Sequence, residues 1–515
     1  VPTDANRPPD RARHVGGVAF ATCLVVVLFF ADGLPFYFED VEIIDVALGR
    51  SWPQLLAELL DPTHVGERIG YQAQGRPLGL LYLKAMHALA GWSPAVIRLP
   101  EVLALSATSG LLAAAIARAS GARWVAGLLG LTMGASPALQ QSGVWICDFE
   151  PMAALLATVV LLLWTRTLGR PPGSAAPWRT VAVLVGITFF AVKMKPGAVV
   201  VAPTLVLSSL LLQRRLLLPA LVAAGAIGLL VVGPRVSGLG GVGVDPGLWS
   251  NVVGFAPMSL RTCALGWAGI LFLGVTLVRR RAPEPAPDAP EPLALAAVLA
   301  AWGASAAVLW LALPIAEGRY LAGFSVPALA CGHLAVASLQ SRHGADRPRL
   351  VAAAIVVAVA SVVPANLARD AAFRGSWGSS FIALDRAAEG AEEQLTNAAV
   401  VYRYWRPMLY PRQPERGVEF VWQDRAWAER QGIQFLDNGE VRFPPRFSTV
   451  VQLRMGKTAN HPAARAFPGV GGLWFDRVSE AVGWEVRNLD LIDLTLDDPG
   501  GDYPVTAFLE PWPGR

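Results

Sequence analysis

Residues 97–123 read IRLPEVLALSATSGLLAAAIARASGAR. The stretch from Ile97 to Ala117 is apolar over the length a helix needs to cross about 30 Å of hydrocarbon, and it stops at Arg118 and Arg123. The pattern recurs along the chain. Apolar runs of roughly 17 to 22 residues alternate with short connections, as expected for membrane spans. Composition agrees: of 515 residues, 54% are hydrophobic and 16% charged, and the mean hydropathy is +0.44. An ordinary soluble domain carries about 25% charged residues, so a soluble enzyme is excluded. The sequence predicts a polytopic α-helical membrane protein.

Arginines set the expected topology, because every second connection is basic: Arg118 with Arg123, then Arg166, Arg170 and Arg179, then Arg214 and Arg215, then Arg279 to Arg281, then Arg342, Arg347 and Arg349. Such connections face the cytoplasm. Threading the apolar runs between them gives eleven spans, near 15–31, 97–117, 124–143, 150–168, 179–194, 197–213, 216–233, 260–278, 292–313, 320–340 and 350–367. Residues 1–14, with Arg7, Arg11 and Arg13, read as a cytoplasmic tail before a retained signal anchor. The Pro-rich segment 282–292 reads as a cytoplasmic linker. An odd number of spans places the C-terminal part outside the cytoplasm.

Charge separates the two parts. Residues 1–367 hold 26 Lys/Arg against 19 Asp/Glu, and residues 368–515 hold 17 against 20. The basic excess thus belongs to membrane loops, and nothing in it calls for nucleic acid. Two parts outside the spans exceed simple connections. The first outer loop, 32–96, carries apolar-faced helical stretches at 41–49, 53–60 and 78–89, which read as interfacial helices. Residues 368–515 read as a small α/β domain with strands at 398–402 and 448–453 and a helix at 424–431. Cys23, Cys147, Cys263 and Cys331 lie in or beside apolar runs without metal-ligand spacing, so they read as buried small hydrophobes and imply no disulfide framework.

The residues able to carry chemistry cluster at the outer ends of the spans. Glu39 and Asp40 follow the first span; a carboxylate there can serve as a general base, and it can equally cap the helix beginning near Val41. Asp148, in the turn Trp145 to Pro151, has the same two readings for the fourth span. Lys193 and Lys195 flank Met194 between two short spans, where the positive-inside rule disfavours cations; they suit a phosphate or snorkel to headgroups. Arg76 in Gln74-Gly75-Arg76-Pro77, and Arg319 with Tyr320 at the start of the tenth span, add outer cations with a fork that fits phosphate oxygens. Carboxylates and cations on one membrane face fit a site where a lipid phosphate leaves and a hydroxyl or amine is activated.

Over residues 15 to about 340, these motifs in this order resemble the GT-C membrane glycosyltransferases, in particular lipid A aminoarabinose transferases and relatives of protein O-mannosyltransferases. The match rests on Glu39-Asp40, on Arg76-Pro77-Leu78-Gly79, and on Gly91-x-Ser93-x-Ala95-x-x-Arg98-Leu99-Pro100. It continues through Asp148, Lys195-Pro196-Gly197 and Arg319-Tyr320. The resemblance implies a GT-C-like fold whose outer cavity takes a sugar from a polyprenyl-phosphate donor and passes it to a lipid, glycan or protein acceptor at a bacterial inner membrane. By the same resemblance Asp40 is the catalytic base, with Glu39 one register away, and Asp148 is the second outer acid. Arg76, Lys193, Lys195, Arg319 and Tyr320 would hold the donor. A divalent metal ion is left open, since aminoarabinose transferases have an acidic residue where this chain has Gly75. Two other classes stay in view: a transporter or flippase of a lipid-linked glycan, which needs polar groups at mid-span, and a non-catalytic cell-envelope assembly scaffold. The spans carry few central charges, Glu101 being the main exception.

Overall fold

The computed structural model describes residues 9–31, 38–61, 76–91, 93–140, 149–170, 177–232, 248–279, 291–311, 321–343, 396–402, 416–422, 425–457, 487–495 and 497–504. The chain divides into two compact units, Val1–Gly33 with Glu42–Leu367, and Leu34–Val41 with Ala368–Arg515.

The first unit is helical. In chain order its elements are α1 (Pro9–Ala31), α2 (Phe38–Gly49, whose first residues fall in the second unit), α3 (Trp52–Leu60), α4 (Pro77–Ala90), α5 (Pro94–Ser120), α6 (Val125–Gly134) and α7 (Pro137–Gln140). They continue with α8 (Glu150–Leu168), α9 (Pro177–Met194), α10 (Val201–Leu212), α11 (Leu217–Val232), α12 (Leu248–Arg279), α13 (Glu291–Leu311) and α14 (Ala322–His343). Among the described residues, five helices are long and apolar enough to cross a membrane: Arg11–Phe29, Ala95–Ser120, Glu150–Leu168, Pro292–Leu309 and Ala322–Gln340. Large apolar side chains face outward on the helices, Phe29 at 69% exposure and Val308 at 66%, a surface that water does not tolerate in quantity and lipid does.

Several other expected spans form helices with identifiable interruptions. The run 124–143 ends its first helix at Gly134 and restarts at Pro137, since proline opens a helix but cannot continue one. Pro196 likewise ends α9 and begins a 3₁₀ turn, Pro196–Val200, before α10. Within α12, Cys263 has non-helical angles (φ −135°, ψ 30°), so the apolar half Cys263–Arg279 starts at a kink. The expected span 350–367 and most of the linker 282–292 lie outside the described residues.

Small residues let the helices approach closely. On α1 a methyl added at Gly16 would sit 2.9 Å from the Gly110 carbonyl oxygen of α5, and on α12 one added at Gly269 would sit 2.5 Å from the Cys331 backbone of α14. Such small-residue contacts are how helices associate where apolar burial gives no advantage over lipid. Several hydroxyls in the bundle bond their own helix: Thr108 donates to Ala104 O at 2.9 Å, Thr204 to Val200 O at 2.6 Å and Ser209 to Leu205 O at 2.7 Å, which satisfies these donors without a neighbour. Cys23, Cys263 and Cys331 are buried free thiols; Cys147 lies outside the described residues.

The second unit holds two sheets. Strands β1 (Ala398–Tyr402), β2 (Glu419–Trp422), β5 (Thr449–Lys457) and β6 (Arg487–Thr495) make a sheet of order β2-β1-β5-β6. In it β1 runs parallel to β2 and β5, and β6 is antiparallel to β5. Strands β3 (Gln434–Phe435), β4 (Glu440–Arg442) and β7 (Asp502–Pro504) form an antiparallel sheet. Helix α15 (Arg425–Arg430) contributes Ala428 to a core with Val421, Ile433, Val441, Phe443, Phe447 and Val450. Arg442 forks onto Asp502 at 2.6 and 3.0 Å, and Arg446 onto Glu419 at 2.8 and 2.9 Å.

Candidate functional site

One end of the helical unit carries three of the residues that sequence alone singles out, Arg76, Lys193 and Lys195. The Arg76-Pro77-Leu78-Gly79 motif opens α4: Arg76 is its N-cap and Pro77 its first residue, where the missing N–H costs nothing and the fixed φ favours the helix. Gly79 has a different task. A methyl there would lie 2.5 Å from Cε2 and 2.6 Å from Cδ2 of Phe149, so the glycine is the notch that admits that ring.

Phe149 is the residue after Asp148 and the N-cap of α8. It holds a left-handed backbone (φ 62°, ψ 6°), an outlier for a bulky side chain. Its ring is fully buried and meets Tyr82 of α4 edge-on, centroids 6.0 Å apart. The Tyr82 hydroxyl in turn donates to the Ile97 carbonyl at the start of α5. Burial on this scale is what keeps a backbone strained, and such strain concentrates where a following or preceding residue must be aimed. Thus α4, α5 and the start of α8 are locked together around one aromatic ring.

Immediately after it, Glu150 reaches Lys195 at 3.8 Å, Oε2 to Nζ, with both side chains largely buried (13% and 10% exposed). The Lys-Pro-Gly turn explains the aim: Lys195 N–H still bonds Ala191 O at 2.8 Å, closing α9, and Pro196 then redirects the chain. Gly197 leaves space toward the Glu150 carboxylate, 4.0 Å from where its methyl would stand.

Lys193, two residues earlier, directs its ammonium to α3. It donates to Asp61 O at 2.7 Å and Glu58 O at 3.4 Å and lies 5.6 Å from the Phe189 ring centroid. These carbonyls close the C-terminus of α3, where a cation complements the helix dipole. The N-terminus of α3 carries a capping box: Ser51 Oγ accepts from Gln54 N–H at 3.3 Å and Gln54 Oε1 accepts from Ser51 N–H at 2.8 Å. Lys84 of α4 does for α2 what Lys193 does for α3, donating to Ala47, Leu48 and Arg50 carbonyls at 3.3, 3.1 and 2.5 Å. The nearby His87 imidazole is held below its usual range by burial first and by Lys84 second.

The structure therefore brings Arg76, Lys193 and Lys195 into one helical unit. Glu39 and Asp40 stand at the second and third positions of α2, inside its first turn rather than ahead of a helix beginning at Val41, and they belong to the other compact unit. Asp148, Arg319 and Tyr320 lie outside the described residues. The N-cap position expected for Asp148 is taken by Phe149. Glu150 carries no role in the sequence reading; its signal is an acid directly before a helix-opening proline, facing a lysine that directly precedes another. On α5, Arg98 and Glu101 are buried one turn apart (3% and 0% exposed). Among the described residues, no group of three or more His, Cys, Asp or Glu side chains is placed to hold a metal ion.

The opposite end of the same helices is basic. Arg118 lies in the last turn of α5 and Arg166 in the last turn of α8, and Arg215 donates to Arg170 O at 2.8 Å. Fold and site together define a mainly helical protein with several helices suited to a membrane and a small strand-containing C-terminal unit. The chain matches no known protein family and no curated protein.

Proposed function

We propose that the protein is an integral-membrane glycosyltransferase of eleven spans in a bacterial inner membrane. It moves a sugar from a polyprenyl-phosphate donor to an extracytoplasmic acceptor, with the N-terminus cytoplasmic and the C-terminal domain outside. The observation that carries this reading is the charged rim at the end of the bundle away from the arginine-rich connections, built on Phe149, Glu150, Lys195, the capped helix α3 and helix α4. Helix α3 buries Leu55 and Leu59 yet exposes Trp52, Leu56 and Leu60, the apolar outer face of a helix lying in a membrane interface. A lipid-linked donor presents its phosphate at that depth.

In this reading Arg76, Lys195 and Arg319 neutralise the departing carrier phosphate, Tyr320 donates a hydrogen bond to it, and Lys193 acts through α3. Glu150 tempers the Lys195 charge before the donor arrives. Asp40 takes the proton of the acceptor hydroxyl or amine as the anomeric carbon leaves the phosphate. The test is transfer from a polyprenyl-phosphate sugar in proteoliposomes. Asp40→Asn is expected to keep folding and donor binding and to lower turnover by about 10²- to 10⁴-fold, the worth of one general base. Full turnover in Asp40→Asn with an inactive Glu39→Gln moves the base to Glu39; parental rates in both remove the assignment.

A second reading, a flippase or transporter, draws on groups buried inside the apolar helices: Arg98 and Glu101 on α5, and His333 on α14, whose Nδ1 lies 2.7 Å from Leu329 O. Intramembrane ionisable groups mark transport paths. Translocation of a lipid-linked glycan without bond cleavage, abolished by Glu101→Gln and untouched by Asp40→Asn, would favour it.

A further inference from the structure

At the basic end of the bundle, α5, α8 and α13 part to leave a recess of about 100 Å³, with Arg118, Arg166 and Thr165 among its lining and Leu111, Leu162 and Leu295 as apolar wall. All three helices are among those able to cross a membrane. Arg118 and Arg166 stand in the last turns of α5 and α8, and Leu295 in the second turn of α13, so the recess opens at the depth where a bilayer passes from acyl chain to headgroup. Its volume lies well below the roughly 300 to 1,000 Å³ of sites for drug-sized ligands. A phosphate group fits that scale.

We propose that this recess binds the headgroup phosphate of an anionic membrane phospholipid. The guanidinium forks of Arg118 and Arg166, one from each of two adjacent spans, grip the phosphate oxygens. The upper acyl chain lies along Leu111, 38% exposed on the outer surface of α5, and along Leu162. Thr165 Oγ1 already donates to Leu161 O at 2.8 Å, so the arginines are the anion's donors. Basic pockets between spans select anionic lipids for the same physical reason. The lipid would tie the ends of α5 and α8 to α13, at the far end of the bundle from the charged rim, and the inference is independent of the catalytic reading.

The test is native mass spectrometry of the full chain released from mixed micelles with equal phosphatidylglycerol and phosphatidylcholine. The parent is expected to retain phosphatidylglycerol over phosphatidylcholine. An Arg118→Gln/Arg166→Gln double variant is expected to lose that preference by about tenfold or more, the share two surface-proximal arginines carry, whereas Arg214→Gln keeps it. Ala115→Leu, which fills the recess without touching charge, is expected to evict the lipid as well and serves where the double variant does not fold. Equal retention of the two lipids by the parent overturns the proposal, as does unchanged selectivity in either recess variant. Displacement of phosphatidylglycerol by millimolar inorganic phosphate would make the site one for the free anion and overturn the lipid assignment.

Discussion

Gly79 and Phe149 depend on each other closely. The ring occupies the space a methyl at position 79 would take, and Phe149 is bound to its strained backbone by being fully buried. Gly79→Ala is therefore expected to cost about 1 to 3 kcal/mol, the usual price of overpacking, read as a lower midpoint in thermal unfolding in detergent. Phe149→Leu in the same chain is expected to restore part of the loss; an unchanged midpoint in Gly79→Ala would mean that the ring moves freely. Lys193 offers a contrasting case, because its ammonium donates to two backbone carbonyls. Lys193→Met removes a partly buried helix-end cation worth about 1 to 2 kcal/mol. Hydrogen exchange over 52–60 is expected to rise about five- to thirtyfold while α5 and α8 exchange as before.

Between elements, backbone proximity replaces side-chain interlocking as the source of specificity. Helices α12 and α14 meet through Gly266, Gly269 and Gly332 against Ala328, Cys331 and Leu265, and a hydrogen-bonded Cys263 and Ser325 lie at the kink at 3.6 Å. A leucine at 269 has no direction to give, since the nearest atoms are backbone at 2.5 Å. Gly269→Leu is expected to push α12 from α14 and lower the unfolding midpoint by several degrees, whereas Gly274→Leu, with nothing within 4 Å of its methyl, is expected to leave it unchanged. Equal effects at the two positions would exclude close packing as the cause.

For the whole molecule, the arginines and the charged rim lie at opposite ends of the same helices, which is the asymmetry the positive-inside rule translates into orientation. A tag after Arg515 is expected outside the cytoplasm and one within 282–292 inside. Protease or fluorophore mapping that finds both on one side would defeat the eleven-span arrangement.

Helix positions were largely legible in the sequence because apolar length and proline placement are local properties. The run expected at 150–168 is Glu150–Leu168, and the strand expected at 398–402 is Ala398–Tyr402. Kinks were less so: a sliding apolar window passes over the proline break at Ala135-Ser136-Pro137 and over the non-helical angles of Cys263. The partners of the charges were not legible at all. Lys193 and Lys195 look alike in sequence, two residues apart at the end of one helix; one caps α3 through carbonyls contributed 132 and 135 residues away, and the other faces Glu150. Periodicity and composition determine which segments seek a membrane, because transfer from water depends on each segment alone. Which carboxylate meets which cation, and why a motif glycine is a glycine, was decided only by the tertiary structure, because those facts belong to pairs of residues that the chain brings together after its helices have packed.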